Sequence, residues 1–183
     1  MEHFYHNLGE DWFSYPELYS AVVAKFDSGT FVEIGSWKGR SAAYLAVEIH
    51  NSNKPIKLIC VDTWKGSVEH ADMDCIKNDT LYTEFLNNLD PVKHIVSPLR
   101  LPSLEAAKTF NDESLEFVYV DASHEYEDVK ADLSAWYPKV KQGGVFAGHD
   151  FMWPGVYQAV TEWAQANELR LLGTPENCWL VYK

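Results

Sequence analysis

Two short runs, Ile56–Val61 and Leu115–Val120, are nearly all apolar and rich in β-branched and aromatic residues. Each is too short for a buried helix and lacks the strict alternation of a half-exposed strand. They read as strands covered on both faces, which is the habit of parallel sheets. Around them strand-like and helix-like segments alternate. Thr30–Ile34, Lys93–Leu99 and Val145–Gly148 predict further strands. Ser41–His50, Asp79–Leu89, Ser103–Phe110, Glu125–Val140 and Gly155–Asn167 predict helices. In Glu125–Val140, the residues Tyr126, Val129, Leu133, Trp136, Tyr137 and Val140 fall on one helical face. Gly143-Gly144 reads as a break before the fifth strand. Leu169–Leu172 and Cys178–Tyr182 predict two closing strands around a turn at Gly173–Asn177. This βαβ alternation predicts an α/β fold, a doubly wound and mostly parallel sheet.

The 183 residues suit a single domain, with residues 1–28 an aromatic-rich helical cover and residues 29–183 the core. No internal repeat or linker is visible. Lys65–Asn78 is the longest irregular stretch, read equally as a loop over the site or as a surface excursion.

In open α/β sheets, ligands bind beyond the carboxyl ends of the strands. The unusual polar residues collect there. Glu33 and Gly35 end the first strand and Asp62 the second. Ser103 follows the third, Asp121 and His124 the fourth, and His149 and Asp150 the fifth. The first turn, Glu33-Ile34-Gly35-Ser36-Trp37-Lys38-Gly39, carries G-x-x-x-G and not the G-x-G-x-x-G that seats a pyrophosphate. Glycine there allows a ligand close to the backbone. Glu33 suits a cationic group such as the α-amino group of an amino-acid-bearing cofactor. Asp62 suits the two hydroxyls of a ribose. Candidate cofactor contacts are therefore Gly35, Ser36, Trp37 and Gly39 of the turn, with Asp62, Thr63 and Trp64. Trp64 either walls an adenine or packs against its loop. Trp12, Phe13 and Tyr15 either cover the site or pack in the core.

His124, in Asp121-Ala122-Ser123-His124, is the candidate base, because histidine titrates near neutrality and can take a hydroxyl proton. Asp121 would orient it, bind a metal or contact the cofactor. Asp121 and Asp150, on neighbouring strand ends, can clamp a divalent cation, with His149 adding nitrogen. Oxygen-dominated ligation favours Mg²⁺, and more histidine favours Mn²⁺, Fe²⁺ or Zn²⁺. His3, His6, His50, His70 and His94 read as surface residues.

A net charge of -12 argues against nucleic-acid or anionic-membrane partners and leaves a small-molecule acceptor. No targeting segment or bilayer-length apolar run is present in this sequence. Three unpaired cysteines fit a reduced, cytoplasmic setting, with Cys60 a buried filler. The N-terminal aromatics would seal either the pocket or the interface of a homo-oligomer.

Together these motifs resemble the class I S-adenosylmethionine-dependent methyltransferases, from about Trp12 to the end of the chain. The D-x-x-H motif at Asp121–His124 and the His149-Asp150 pair are similar to the branch of macrolide-sugar O-methyltransferases and cephalosporin-biosynthesis-type methyltransferases. The resemblance implies a Rossmann-like sheet of seven strands with the last one reversed. It implies that Glu33, Gly35 and Ser41 line the methionine end, Asp62 the ribose, and Leu101 and Ser103 the adenine. It implies Mg²⁺ on Asp121 and an acidic pair after the fifth strand, with His124 as base. Here the first member of that pair is His149, not an acid, which bears on the metal. Three other readings stay open at this point: a nucleotide-binding oxidoreductase, a non-catalytic cofactor-binding protein and a metal hydrolase.

Overall fold

The computed structural model describes residues 1–67 and 70–183. Seven strands form one sheet: β1 (Gly29–Ile34), β2 (Ile56–Asp62), β3 (Val96–Arg100), β4 (Leu115–Val120), β5 (Val140–Gly148), β6 (Leu172–Gly173) and β7 (Trp179–Tyr182). Their order is β3-β2-β1-β4-β5-β7-β6. The first five are parallel, and β7 runs antiparallel to both β5 and β6. The expected doubly wound sheet with a reversed strand is therefore present. Pro98 lies in β3, an edge strand, where a missing N–H is tolerated.

Alternating strand residues point to two cores. Phe31, Phe117 and Tyr119 face α1 (Pro16–Lys25), α2 (Arg40–Ser52) and α4 (Leu81–Asn88). Val32, Val118 and Val120 face α5 (Ser103–Ala107), α6 (Tyr126–Trp136) and α7 (Pro154–Ala166). Each fully buried side chain of the size of Leu133 or Phe146 contributes about 1.5–3 kcal/mol by leaving water. Pro16 and Pro154 open their helices at positions where the absent N–H costs nothing.

Several sequence expectations change at their boundaries. Gly143-Gly144 does not break the chain. Both residues lie inside β5, where the register against β4 jumps between Leu115 and Phe117, so the glycines are absorbed in a bulge. The helix expected over Glu125–Val140 stops at Trp136, because Pro138 turns the next three residues into a 3₁₀ turn. Of the strand expected over Leu169–Leu172 only Leu172 lies in β6, which takes in Gly173 of the expected turn. The stretch Lys65–Asn78 includes residues 68 and 69, which lie outside the described residues, and elsewhere it holds the short helix α3 (Asp74–Lys77).

The register fixes the site. Gly35 N–H donates to Val61 O, Asp121 N–H to Ile34 O and His149 N–H to Val120 O. These bonds carry the sheet one residue past β1, β4 and β5. Gly35, Asp62, Asp121 and His149 are thereby brought to one edge. Among the described residues no helix is long and apolar enough to cross a membrane.

Candidate active site

The turn after β1 is built by contacts within the chain. Gly35 has φ +88°, and a Cβ there would lie 1.9 Å from the Asp121 carbonyl oxygen. The close approach of the two strand ends by itself requires glycine here. Gly39 has φ +85° and packs on Phe85 and Leu89.

Glu33 sits beneath the turn and is 1% exposed. Its carboxylate accepts hydrogen bonds from Tyr19 Oη at 2.8 Å and Ser36 Oγ at 2.7 Å, and Ser41 also bonds it. Burial pushes its pKa up to about 7 against the pull of those hydroxyls. Being covered, Glu33 fixes Ser36 and Ser41 and does not itself face solvent.

Asp62 is held by the backbone. Trp37 N–H donates to Oδ2 at 2.9 Å and Trp64 N–H to Oδ1 at 2.7 Å. The backbone of Thr63 and Ser36 also donates to this carboxylate. Burial raises its pKa, and the backbone donors oppose that rise. The Trp64 ring belongs to the core and does not wall a pocket. It is 1% exposed, packs on Tyr82 and Phe85, and donates through Nε1 to Trp37 O. Thr63 Oγ1 accepts from Lys65 N–H. Trp37 stays nearer the surface, bonded through Nε1 to Glu10 and packed on His70.

Beyond β4 and β5, four titratable side chains converge. His124 Nε2 lies 2.8 Å from Asp150 Oδ2. His149 Nδ1 lies 3.3 Å from Asp150 Oδ1 and 3.8 Å from Asp121 Oδ1. Tyr15 Oη donates to Asp121 Oδ2 at 2.8 Å. The carboxylate that holds His124 is thus Asp150, and Asp121 turns instead to Tyr15 and His149. Asp150 adopts φ 55°, a left-handed backbone that aspartate tolerates, and Asn177 Nδ2 donates to its Oδ1. The surrounding protein desolvates both aspartates. For Asp121, desolvation and the neighbouring Asp150 charge win, and its pKa rises although His149 lies nearby. For Asp150, desolvation is outweighed by bonds from His124 and His149, which hold it well below the usual carboxylate range. Burial opposes a charge on His149, but its bond to Asp150 and the two carboxylates raise its pKa.

Ligand atoms of Asp121, His124 and Asp150 all lie within 4.8 Å of one another. The sequence points to Asp121, His149 and Asp150 as the cation set. The convergent trio contains His124 in place of His149.

Two expected adenine contacts are placed differently from each other. Leu101 is partly buried against the α6–α7 core. The Ser103 hydroxyl is taken up internally, donating to Asp132 Oδ1 at 2.5 Å and accepting from Trp136 Nε1 at 2.8 Å. Of the remaining histidines, His6 and His94 are exposed, and His50, half-buried, pairs with His94. His3 departs from the surface reading: it stacks on Tyr44 at 4.4 Å and bonds Glu48. His70 packs between Trp37 and Trp12.

Sequence reasoning passes over Ser14, Trp153 and Asn177. Ser14 Oγ lies 3.3 Å from His149 Nε2, and Trp153 stacks on His124 at 4.4 Å. Ser14 and His149 are 135 positions apart, so no local pattern signals that contact. Tyr15 has two readings in the sequence, and its buried ring and bond to Asp121 satisfy both in part.

A family profile described as a methyltransferase domain matches residues 32–151, which spans β1 through the Asp150 turn. The chain belongs to the methyltransferase-domain family. Solved methyltransferases share its fold. The O-methyltransferase NovP superposes with a TM-score of 0.73 at 18% identity, covering 92% of this chain and 78% of that one. CalS11, a TDP-rhamnose 3'-O-methyltransferase of calicheamicin biosynthesis, gives 0.64 at 16%, covering 91% and 76%. The S-adenosylhomocysteine-bound PaMTH1 of Podospora anserina gives 0.65 at 14%, covering 94% and 81%. An uncharacterized protein of Sinorhizobium fredii, y4gI, is 29% identical over 119 residues, or 65% of this chain. This methyltransferase domain spans only 13% of that relative's length.

Proposed function

We propose that this domain is an S-adenosylmethionine-dependent O-methyltransferase acting on the hydroxyl of a small molecule. The observation that carries the reading is the 2.8 Å pair of His124 Nε2 and Asp150 Oδ2, placed on the same sheet edge as Asp62. The residues fit the cofactor at its ribose: backbone donors orient the Asp62 carboxylate at the end of β2, where an acid suits the hydroxyls of a ribose. Glu33, already bonded by hydroxyls, serves the methionine end through Ser36 and Ser41. When bound, S-adenosylmethionine supplies the electrophilic methyl group and leaves as S-adenosylhomocysteine.

The chain's own residues do the rest. The acceptor hydroxyl gives its proton to His124 as its oxygen gains the methyl group. Asp150 fixes the imidazole and stabilises the imidazolium that forms, which is the usual work of a carboxylate behind a histidine base. Asp121, pinned by Tyr15, adds negative potential beside it. Stacking on Trp153 limits rotation of the His124 ring. Orienting base and acceptor in this way is the main source of acceleration such a site can offer.

One observation favours a metal-assisted variant of this reading. Two carboxylates and an imidazole within 4.8 Å of each other form a donor set suited to a divalent cation. Asp121, His124 and Asp150 would hold it, and it would lower the pKa of the acceptor hydroxyl. In the dyad form Nε2 is engaged by Asp150, so the proton is taken by Nδ1; a cation held jointly by His124 and Asp150 would replace their hydrogen bond, so the two forms exclude each other. The test is methyl transfer to a hydroxyl panel with His124→Ala and with chelator. Loss in the variant alone supports the base, loss in both supports the metal, and full activity in the variant removes the site assignment.

A further inference from the structure

Among the described residues, eight large hydrophobic side chains are exposed, and three of them, Met152, Trp153 and Tyr157, lie within six positions of one another. Met152 is 83% exposed, Trp153 47% and Tyr157 54%. Water-exposed groups of this size, grouped beside a site, mark a binding surface more often than chance does.

This patch is continuous with the chemistry. The Trp153 ring stacks on His124, with centroids 4.4 Å apart and planes 20° from parallel. Tyr157 stands one helical turn further along α7 and packs on Phe151. The segment that displays the three side chains is also fixed. Phe151 N–H donates to Asn177 O, Met152 N–H to Asn177 Oδ1 and Trp153 N–H to Asp150 O. Gly155 lets α7 press on the His124 loop, because a Cβ there would lie 2.3 Å from His124 O. A side chain such as Met152, whose backbone is held while its thioether reaches into water, is suited to contact an aromatic ring.

Charge narrows what can lie on it. The small cleft beside His124, next to the patch, takes its polar lining from Asp121, Ser123, His124, His149 and Asp150, and among the described residues no lysine or arginine lines it. The chain as a whole carries -12. A phosphate or carboxylate on the acceptor would find Asp121 and Asp150 near it and no arginine fork to hold it.

We propose that Met152, Trp153 and Tyr157 form the platform that selects the acceptor, and that the acceptor is an uncharged aromatic compound bearing a hydroxyl. This inference rests on the O-methyltransferase reading of the same site. The aromatic body lies on the Trp153 edge and the Met152 thioether, and its hydroxyl reaches His124. Trp153 thereby has two duties, positioning the base ring and bearing the acceptor. Met152 and Tyr157 have only the second.

The experiment uses the full chain saturated with S-adenosylhomocysteine. Binding of a neutral naphthalenediol, a naphthyl phosphate and a methyl glucoside is measured by calorimetry, for the wild type and for Met152→Ser and Tyr157→Ser. Both substitutions are at exposed positions, and thermal melts confirm that each variant is folded. The expected result is binding of the naphthalenediol alone, weakened about tenfold or more in each variant, consistent with the loss of one aromatic or thioether contact and its area. Affinity for S-adenosylhomocysteine stays unchanged in both. Equal binding of the phosphate or the glucoside, absence of naphthalenediol binding, or indifference to the substitutions overturns the platform. Light scattering covers the other occupant: a wild-type dimer that the substitutions dissociate makes the patch an interface between copies and also overturns it. Failure of the wild type to bind S-adenosylhomocysteine would instead defeat the cofactor reading beneath the proposal.

Discussion

His124 and Asp150 are 26 positions apart in sequence and stand 2.8 Å apart in space, joined across the ends of two adjacent parallel strands. Despite desolvation, Asp150 is held well below the usual carboxylate range by its bonds from His124 and His149, so a carboxylate charge faces the imidazole. Replacing His124 by Ala should slow methyl transfer by about 10²–10⁴-fold, the usual span for loss of general-base catalysis, with S-adenosylhomocysteine affinity nearly intact. Steady-state kinetics beside calorimetry checks both halves. A variant with full turnover would remove the base.

Asp121→Asn separates the two forms of the site. If Asp121, His124 and Asp150 hold a cation, the substitution removes one charged ligand and should weaken Mn²⁺ binding at least about tenfold, since charged hydrogen-bonding and ligating groups carry more than about 1.4 kcal/mol each. Electron paramagnetic resonance of added Mn²⁺ reads this directly. No Mn²⁺ binding by the wild type leaves the His124–Asp150 dyad as the working machinery.

Glu33 makes stability depend on pH. Its folded pKa of about 7 lies above the ordinary 4.5, so the folded state binds the extra proton. The associated stability is fully present below pH 4.5 and is lost as pH rises through about 7. Well above that pH the loss amounts to about 3 kcal/mol, because a tenfold change in proton affinity is worth about 1.4 kcal/mol. Glu33→Gln should therefore melt higher than the wild type at pH 8, and the two should draw together at pH 4.5. Thermal denaturation across that range decides it, and parallel curves would show that Glu33 keeps an ordinary carboxyl pKa.

Gly35→Ala should cost more than about 4 kcal/mol, in the range reserved for steric or backbone failures. The new Cβ would sit 1.9 Å from Asp121 O at a positive φ. Urea melts test this, and a mild effect would mean that the ends of β1 and β4 can part.

Much of the fold is legible in the sequence because parallel strands carry a strong signature. Leu115–Val120 is buried on nearly all of both faces and Ile56–Val61 on most of them, with Lys57 exposed, and the polar residues ending the two strands meet at one edge. What stays hidden depends on contacts distant in sequence. Nothing near Asp121 shows that Tyr15 bonds it, 106 positions away. Trp64 resembles a pocket wall because it stands two residues after Asp62, yet Tyr82 and Phe85 enclose it. Gly143-Gly144 resembles a break because glycine weakens strands, but the Lys183 backbone bonds both glycines and holds them within β5 while they bulge away from the β4 register. The choice between Asp121 and Asp150 as the partner of His124 turns on the geometry of the loop after β5, where Asp150 takes a left-handed backbone that sequence spacing does not encode.

The central claim is that this sheet edge binds S-adenosylmethionine with Asp62 on its ribose. Calorimetric titration of S-adenosylhomocysteine and of NAD into the wild type and Asp62→Asn tests it most directly. S-adenosylhomocysteine should bind, NAD should not, and Asp62→Asn should weaken binding about ten- to a hundredfold through lost charged hydrogen bonds. Equal affinity in the variant, or NAD binding as well as S-adenosylhomocysteine, would contradict it.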